Sequence, residues 1–178
     1  ALKANRSAAR ISHVCDVDSN ILKKFADSAQ QEMGEAPVSE KDFRRILEQK
    51  DVDAITIATP DHWHTPMAIA GLQAGKHVFV EKPCSHNPAE GAMLIQAQQK
   101  YRKLVQMGTQ QRSSPHTIEI IEKINQGIIG RPYFAKAWYS NVRKSIGTGK
   151  EAPVPPQLDW ELWQGPAPRQ PSTDNLQP

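Results

Sequence analysis

The sequence predicts an α/β fold in which a doubly wound parallel sheet carries helices on both faces. Three observations carry that reading. Short apolar runs alternate with segments of helical period over most of the first 130 residues. One run, Ala54-Ile55-Thr56-Ile57-Ala58-Thr59, is almost unbroken in apolar and β-branched residues, as a strand covered on both faces requires. Each run is followed by polar residues, and in open parallel sheets such loops gather at the carboxyl ends of the strands.

The elements follow in order. Ile11-Ser12-His13-Val14-Cys15-Asp16 is short and β-rich and ends at an acid. Ile21, Leu22, Phe25, Ala26 and Ala29 recur at helical spacing. Ser39 is placed to cap a second helix carrying Phe43, Ile46 and Leu47. After the strand at 54–59, Thr65-Pro66 pairs a cap with proline at the first helical position and predicts a helix to about Ala74, stopped by Gly75. His77-Val78-Phe79-Val80 reads as a further buried strand. Asn87-Pro88-Ala89-Glu90 repeats the cap and proline and adds a glutamate for a capping box, with a helix reaching about Tyr101. Leu104-Val105-Gln106-Met107 is the next strand. Ser114-Pro115 opens another helix, with Ile118, Ile121 and Ile124 on one face and Gly127 after it. Crossovers between the parallel strands should be right-handed.

The pattern changes after Gly130. Tyr133 to Tyr139 alternates as a strand of a different, one-face-exposed sheet would. Residues 140–178 then carry Pro153, Pro155, Pro156, Pro166, Pro168 and Pro171, with no clear helix. Such a stretch is expected to cross a domain surface toward a second domain. The predicted division is an α/β domain at 1–130 and the beginning of another at 131–178, each incomplete.

Composition excludes several classes. The 22 Lys+Arg and 19 Asp+Glu give a net charge of +3 without a long basic block, which argues against nucleic-acid or polybasic membrane partners. No apolar run approaches the ~18 residues of a membrane span. Cys15 and Cys84 do not make a disulfide framework, and reduced thiols favour the cytoplasm. The chain opens at Ala1 without a start methionine or an apolar leader, so residues are expected upstream.

The loops after the strands hold the candidate chemistry: Asp16-Val17-Asp18, Thr59-Pro60-Asp61-His62-Trp63-His64, Glu81-Lys82-Pro83-Cys84 and Gly108-Thr109-Gln110-Gln111-Arg112. An acid ending the second strand of a dinucleotide-binding fold holds ribose hydroxyls about 20 residues after a glycine fingerprint. Counting back from Asp16 runs past Ala1, which places that fingerprint upstream; the alternative is that Asp16 is an ordinary strand-end or cap residue. Asp61, His62 and His64, with His86 nearby, invite a metal reading, but no third cluster has ligand spacing and no metal is expected. Lys82 at a cleft mouth can hydrogen-bond a substrate hydroxyl and stabilise an alkoxide, with Glu81 orienting it; the alternative is a surface Glu–Lys pair. Cys84 has no evident His partner for a nucleophile's role. Trp138, Trp160 and Trp163 suit a stacking surface or, more often, packing.

Ala58-Thr59-Pro60-Asp61-His62-Trp63-His64, Ala74-Gly75-Lys76-His77-Val78 and Glu81-Lys82-Pro83, in this order and spacing, resemble the linked signatures of the Gfo/Idh/MocA family of oxidoreductases. Leu158-Asp159-Trp160-Glu161-Leu162-Trp163-Gln164-Gly165-Pro166-Ala167 is similar to a segment of many members, so the resemblance covers nearly the whole chain. It implies a Rossmann-type domain binding NAD or NADP, here lacking its first strand and glycine loop. It also implies the start of a C-terminal α+β domain with an open sheet. The implied reaction is hydride transfer at a CH–OH group of a sugar, polyol or cyclitol. The alternatives are a glycosidase that oxidises its sugar transiently on bound NAD, and a dinucleotide-binding protein without turnover. By the same resemblance Lys82 would stand at the reaction centre, Glu81 would contact the nicotinamide side, and Gln110 would lie beside it. Thr59, Pro60, His62 and His64 would line the cofactor cleft, and Asp16 would bind the adenosine ribose. An acid there repels a 2′-phosphate, so NAD is favoured over NADP. The family's catalytic histidine would lie beyond Pro178, so the fragment alone is expected to be inactive. The complete protein is expected to be a homo-oligomer acting on a small molecule, cytoplasmic unless exported by a twin-arginine signal.

Overall fold

The computed structural model describes residues 9–140, 142–145, 147–148 and 152–170. Parts of the predicted domains, namely 1–8, 149–151 and 171–178 with Pro171, lie outside the described residues. The elements are β1 (His13–Cys15), α1 (Ser19–Met33), β2 (Val38–Glu40), α2 (Phe43–Leu47), β3 (Ala54–Ile57), α3 (Asp61–Gln73), β4 (His77–Val80), α4 (Pro88–Tyr101), β5 (Val105–Met107), a 3-10 turn (Gln110–Ser113), α5 (Pro115–Asn125) and α6 (Trp160–Gln164).

All strand pairings are parallel, in the orders β1-β2 and β3-β4-β5. These are the outer positions 3-2 and 4-5-6 of the doubly wound order 3-2-1-4-5-6. The predicted fold class therefore holds.

The core explains the middle of the sequence. Ile57, Ala68, Leu72, Val78, Val80, Leu94 and Ala97 form one buried cluster, so α3 and α4 close over β3 and β4. Gly71 brings α3 near the sheet: a Cβ there would lie 2.6 Å from Ile55 Cδ1. The Gly75 stop appears as a residue of φ +77°, where glycine carries no Cβ penalty. The expected Asn87 cap of α4 appears, with Asn87 Oδ1 accepting from Glu90 N at 3.0 Å, while Glu90 Oε2 reaches one residue past the N-cap and accepts from His86 N at 2.9 Å.

Several expectations need correction. β2 was not anticipated, and Ser39 lies in it; Asp42 caps α2 instead, accepting from Arg44 N at 3.0 Å. The third helix begins at Asp61, not at Pro66, which lies inside it. The predicted cap Thr65 is buried and donates its hydroxyl to the Cys84 carbonyl at 3.0 Å, so tertiary contacts outweigh the local cap signal.

The chain divides into two compact units, Ala1–Gly108 with Ala152–Pro178, and Thr109–Glu151. This division differs from the predicted boundary at 130, because residues 152–170 return to the first unit. There Asp18 and Leu158 form an antiparallel bridge, Ser19 N donates to Gln157 O at 3.0 Å, and Asp159 N donates to Val17 O at 2.9 Å. The predicted strand at 133–139 is absent. Tyr133 and Phe134 are 96% and 76% exposed, and residues 133–139 join no ladder among the described residues. Alternation describes one side of a pairing, and a strand also needs a neighbour.

Candidate functional site

The register of β3, β4 and β5 levels their carboxyl ends, since Ile57 pairs with Val80 and Val80 with Met107. The ladder continues one step further: Glu81 N donates to Ile57 O at 2.9 Å and Gly108 N to Val80 O at 2.8 Å. Ala58, Glu81 and Gly108 therefore stand in a row at the edge where parallel sheets bind ligands. The Glu81 carboxylate lies directly over Gly108, and a Cβ at 108 would meet Glu81 Oε2 at 2.6 Å. The same Oε2 stands 3.4 Å from the Lys82 backbone nitrogen. The Lys82–Pro83 peptide is cis, and the Lys82 side chain is exposed.

Thr59 and Pro60 link β3 to α3, with Pro60 as the helix N-cap. The Thr59 hydroxyl is buried and has no hydrogen-bond partner among the described residues. A buried hydroxyl left unpaired is costly, and in a loop at this edge it is suited to a ligand's polar group.

The two histidines have other engagements. His64 is 2% exposed, and its Nδ1 and Nε2 face the carbonyl oxygens of Pro83 and Thr59 at 2.5 and 2.8 Å. With both ring nitrogens occupied by main chain, it bridges the loops after β3 and β4. His62 donates from Nε2 to the Trp163 carbonyl at 2.9 Å.

Asp16 follows β1 and turns its Oδ1 onto Asp18 N at 2.8 Å. Asp18 caps α1, its Oδ1 accepting from Asn20 N at 2.8 Å and Ile21 N at 3.1 Å. The cap role that competed for Asp16 thus belongs to Asp18. Gln110 opens the 3-10 turn of the second unit.

Cys15 lies beside Asp16. Although the residue is exposed overall, desolvation around its thiol, followed by the charges of Asp16, Asp42 and Glu40, pushes its pKa from 9.0 up to about 12. Its unfolded thiol ionises first, so folding loses stability as pH rises from 9.0 toward about 12. In a Cys84→Ser background, the rate of Cys15 alkylation should still be climbing at about pH 10, where an ordinary thiol is levelling off. Mass-spectrometric alkylation rates across pH check this.

Sequence reasoning missed the role of residues 157–165. The Trp63 indole N–H donates to the carbonyls of Leu162 at 2.9 Å and Trp163 at 3.2 Å. Its ring meets Phe43 edge-on at 5.5 Å. Trp160 and Trp163 stack at 5.0 Å, and His62 sits edge-on to Trp163 at 5.5 Å. Asp159, which caps α6 by accepting from Leu162 N at 3.0 Å, was the legible signal. Trp138, by contrast, is 76% exposed in the second unit.

Residues 1–109 match the profile of a family described as an oxidoreductase family with an NAD-binding Rossmann fold. The chain is 30% identical over 133 residues to a glycosyl hydrolase family 109 protein of Saccharopolyspora erythraea, covering 72% of this chain and 29% of that protein. It is 29% identical over 146 residues to an inositol 2-dehydrogenase/D-chiro-inositol 3-dehydrogenase of Shouchella clausii, covering 81% and 41%. The crystal structure of a probable dehydrogenase from Thermotoga maritima superposes with a TM-score of 0.62 at 27% identity, covering 71% of this chain and 37% of that one. The chain thus spans less than half the length of each of these proteins.

Proposed function

Because this chain belongs to the Gfo/Idh/MocA oxidoreductase family, with its NAD-binding Rossmann fold, we propose that it forms the dinucleotide-binding part of an NAD-dependent enzyme. The enzyme oxidises a CH–OH group of a sugar, polyol or cyclitol. The observation that carries this reading is the level row of Ala58, Glu81 and Gly108, with Lys82 beside it. Two features suit a nicotinamide dinucleotide: the unpartnered Thr59 hydroxyl, and a glycine at 108 that lets main chain and Glu81 lie close together. Asp16 would hold the adenosine ribose hydroxyls, which disfavours NADP by charge.

When bound, the nicotinamide supplies the two-electron acceptor. Lys82 Nζ would hydrogen-bond the substrate hydroxyl and stabilise its oxygen, while the hydroxyl proton passes on to solvent. Glu81 fixes the orientation of the Lys82 main chain through the contact at Lys82 N. His64 holds the loops carrying Thr59 and Pro83 together. The similarity to an inositol dehydrogenase supports a polyhydroxylated substrate. Incubating the full-length protein with NAD and a panel of sugars, polyols and cyclitols should yield NADH with at least one of them. Failure across the panel, with NAD bound, would refute the dehydrogenase reading.

The similarity to a glycosyl hydrolase family 109 protein favours a second reading, in which NAD is retained and a glycoside is cleaved. Release of an aglycone without net NADH would select it. Under either reading Gly108→Ala should displace Glu81 and lower turnover several-fold while the thermal midpoint stays nearly constant. Steady-state kinetics beside a melting curve check that split.

A further inference from the structure

We propose that residues 157–165 are a positioning strap that sets the spacing between the adenosine-side turn and the reaction-side loop, so that the two halves of a dinucleotide bind together. The proposal rests on the dinucleotide reading above and adds a device to it.

The strap is fastened at both ends within the first unit. At one end it holds the turn that carries Asp16: Ser19 N donates to Gln157 O at 3.0 Å, Asp159 N to Val17 O at 2.9 Å, and Asp18 bridges Leu158. At the other end it holds the start of α3: the Trp63 indole donates to Leu162 O at 2.9 Å and His62 Nε2 to Trp163 O at 2.9 Å. One residue further on, His64 reaches the carbonyls of Thr59 and Pro83. A continuous line of contacts therefore runs from the Asp16 turn, through α6 and the first turn of α3, to the loop that carries Lys82.

The loops follow different strands, β1 and β4, and the strap joins them through contacts outside the strand ladders. Prolines flank the strap, Pro155 and Pro156 before it and Pro166 and Pro168 after it, and they restrict the backbone leading into and out of it. Gly165 marks how closely the strap lies: a Cβ there would come within 2.0 Å of the Trp63 ring.

A dinucleotide occupies both loops, whereas AMP occupies only the adenosine side. Loosening the strap should therefore weaken NAD more than AMP, a readout that a general loss of stability would not reproduce. Trp63→Phe removes the indole donor from the body side, and Gly165→Ala drives a wedge from the strap side; the second keeps the test open if the first fails to fold. NAD and AMP affinities of the full-length protein would be measured by calorimetry. Each variant should bind NAD about three- to tenfold more weakly, the range expected for one lost hydrogen bond, with AMP affinity changed less than about twofold. Equal losses for both ligands, or no loss for either, would overturn the strap while leaving the dinucleotide reading intact. A wild-type protein that binds neither would overturn both.

Discussion

Lys82→Ala in the full-length protein is expected to lower kcat by about 10²–10⁴-fold, with NAD affinity changed little. Lys82 sits at the carboxyl end of β4, one residue past the last ladder bond, with its side chain exposed. Removing an exposed side chain costs the fold little. Its loss should therefore appear in the chemical step and not in folding or cofactor retention. The neighbouring Glu81 keeps its place because the main-chain bond to Ile57 O, at 2.9 Å, is untouched. Stopped-flow measurement of NADH formation beside calorimetric NAD titration separates the two effects. Unchanged turnover would remove Lys82 from the mechanism.

Leu72→Ala should destabilise the first unit by about 2–5 kcal/mol. Leu72 is fully buried, at 0% exposure, in the cluster where α3 meets β3 and β4. The neighbouring Gly71 already sits against Ile55 and Val78, so the sheet and helix are in close contact there. A cavity in such a place collapses poorly, which puts the cost toward the upper end. Leu104→Ala is the control: Leu104 is 72% exposed, and its truncation should change stability by less than about 0.5 kcal/mol. Denaturant melts of both variants give the comparison directly.

These two positions also show what a linear sequence reveals. Leu72 belongs to a helix stopped at Gly75, and Lys82 follows an apolar strand, so local pattern places both. The α4 segment was legible for the same reason, because the Asn87 and Glu90 side chains, either side of Pro88, cap the nearby main-chain nitrogens of Glu90 and His86. β2 was less legible, since Val38-Ser39-Glu40 offers a single apolar side chain. The strand expected at 133–139 had the alternation but found no partner, and its aromatic residues are exposed. The hardest features were those set by distant residues. Nothing in the sequence near His64 announces that its ring would meet the carbonyls of Thr59 and Pro83. Nor does Trp63 announce an acceptor at Leu162, ninety-nine positions away. Candidate residues could be named because strand ends converge by rule; their hydrogen-bond partners could not, because those depend on how the chain returns.

The most direct test of the account is a calorimetric titration of the full-length protein with NAD and with NADP, for the wild type and for Asp16→Ala. The account predicts that NAD binds, that NADP binds at least about tenfold more weakly because the Asp16 carboxylate opposes the 2′-phosphate, and that Asp16→Ala narrows the gap. A protein that binds neither dinucleotide, or binds NADP more tightly in the wild type, would contradict it.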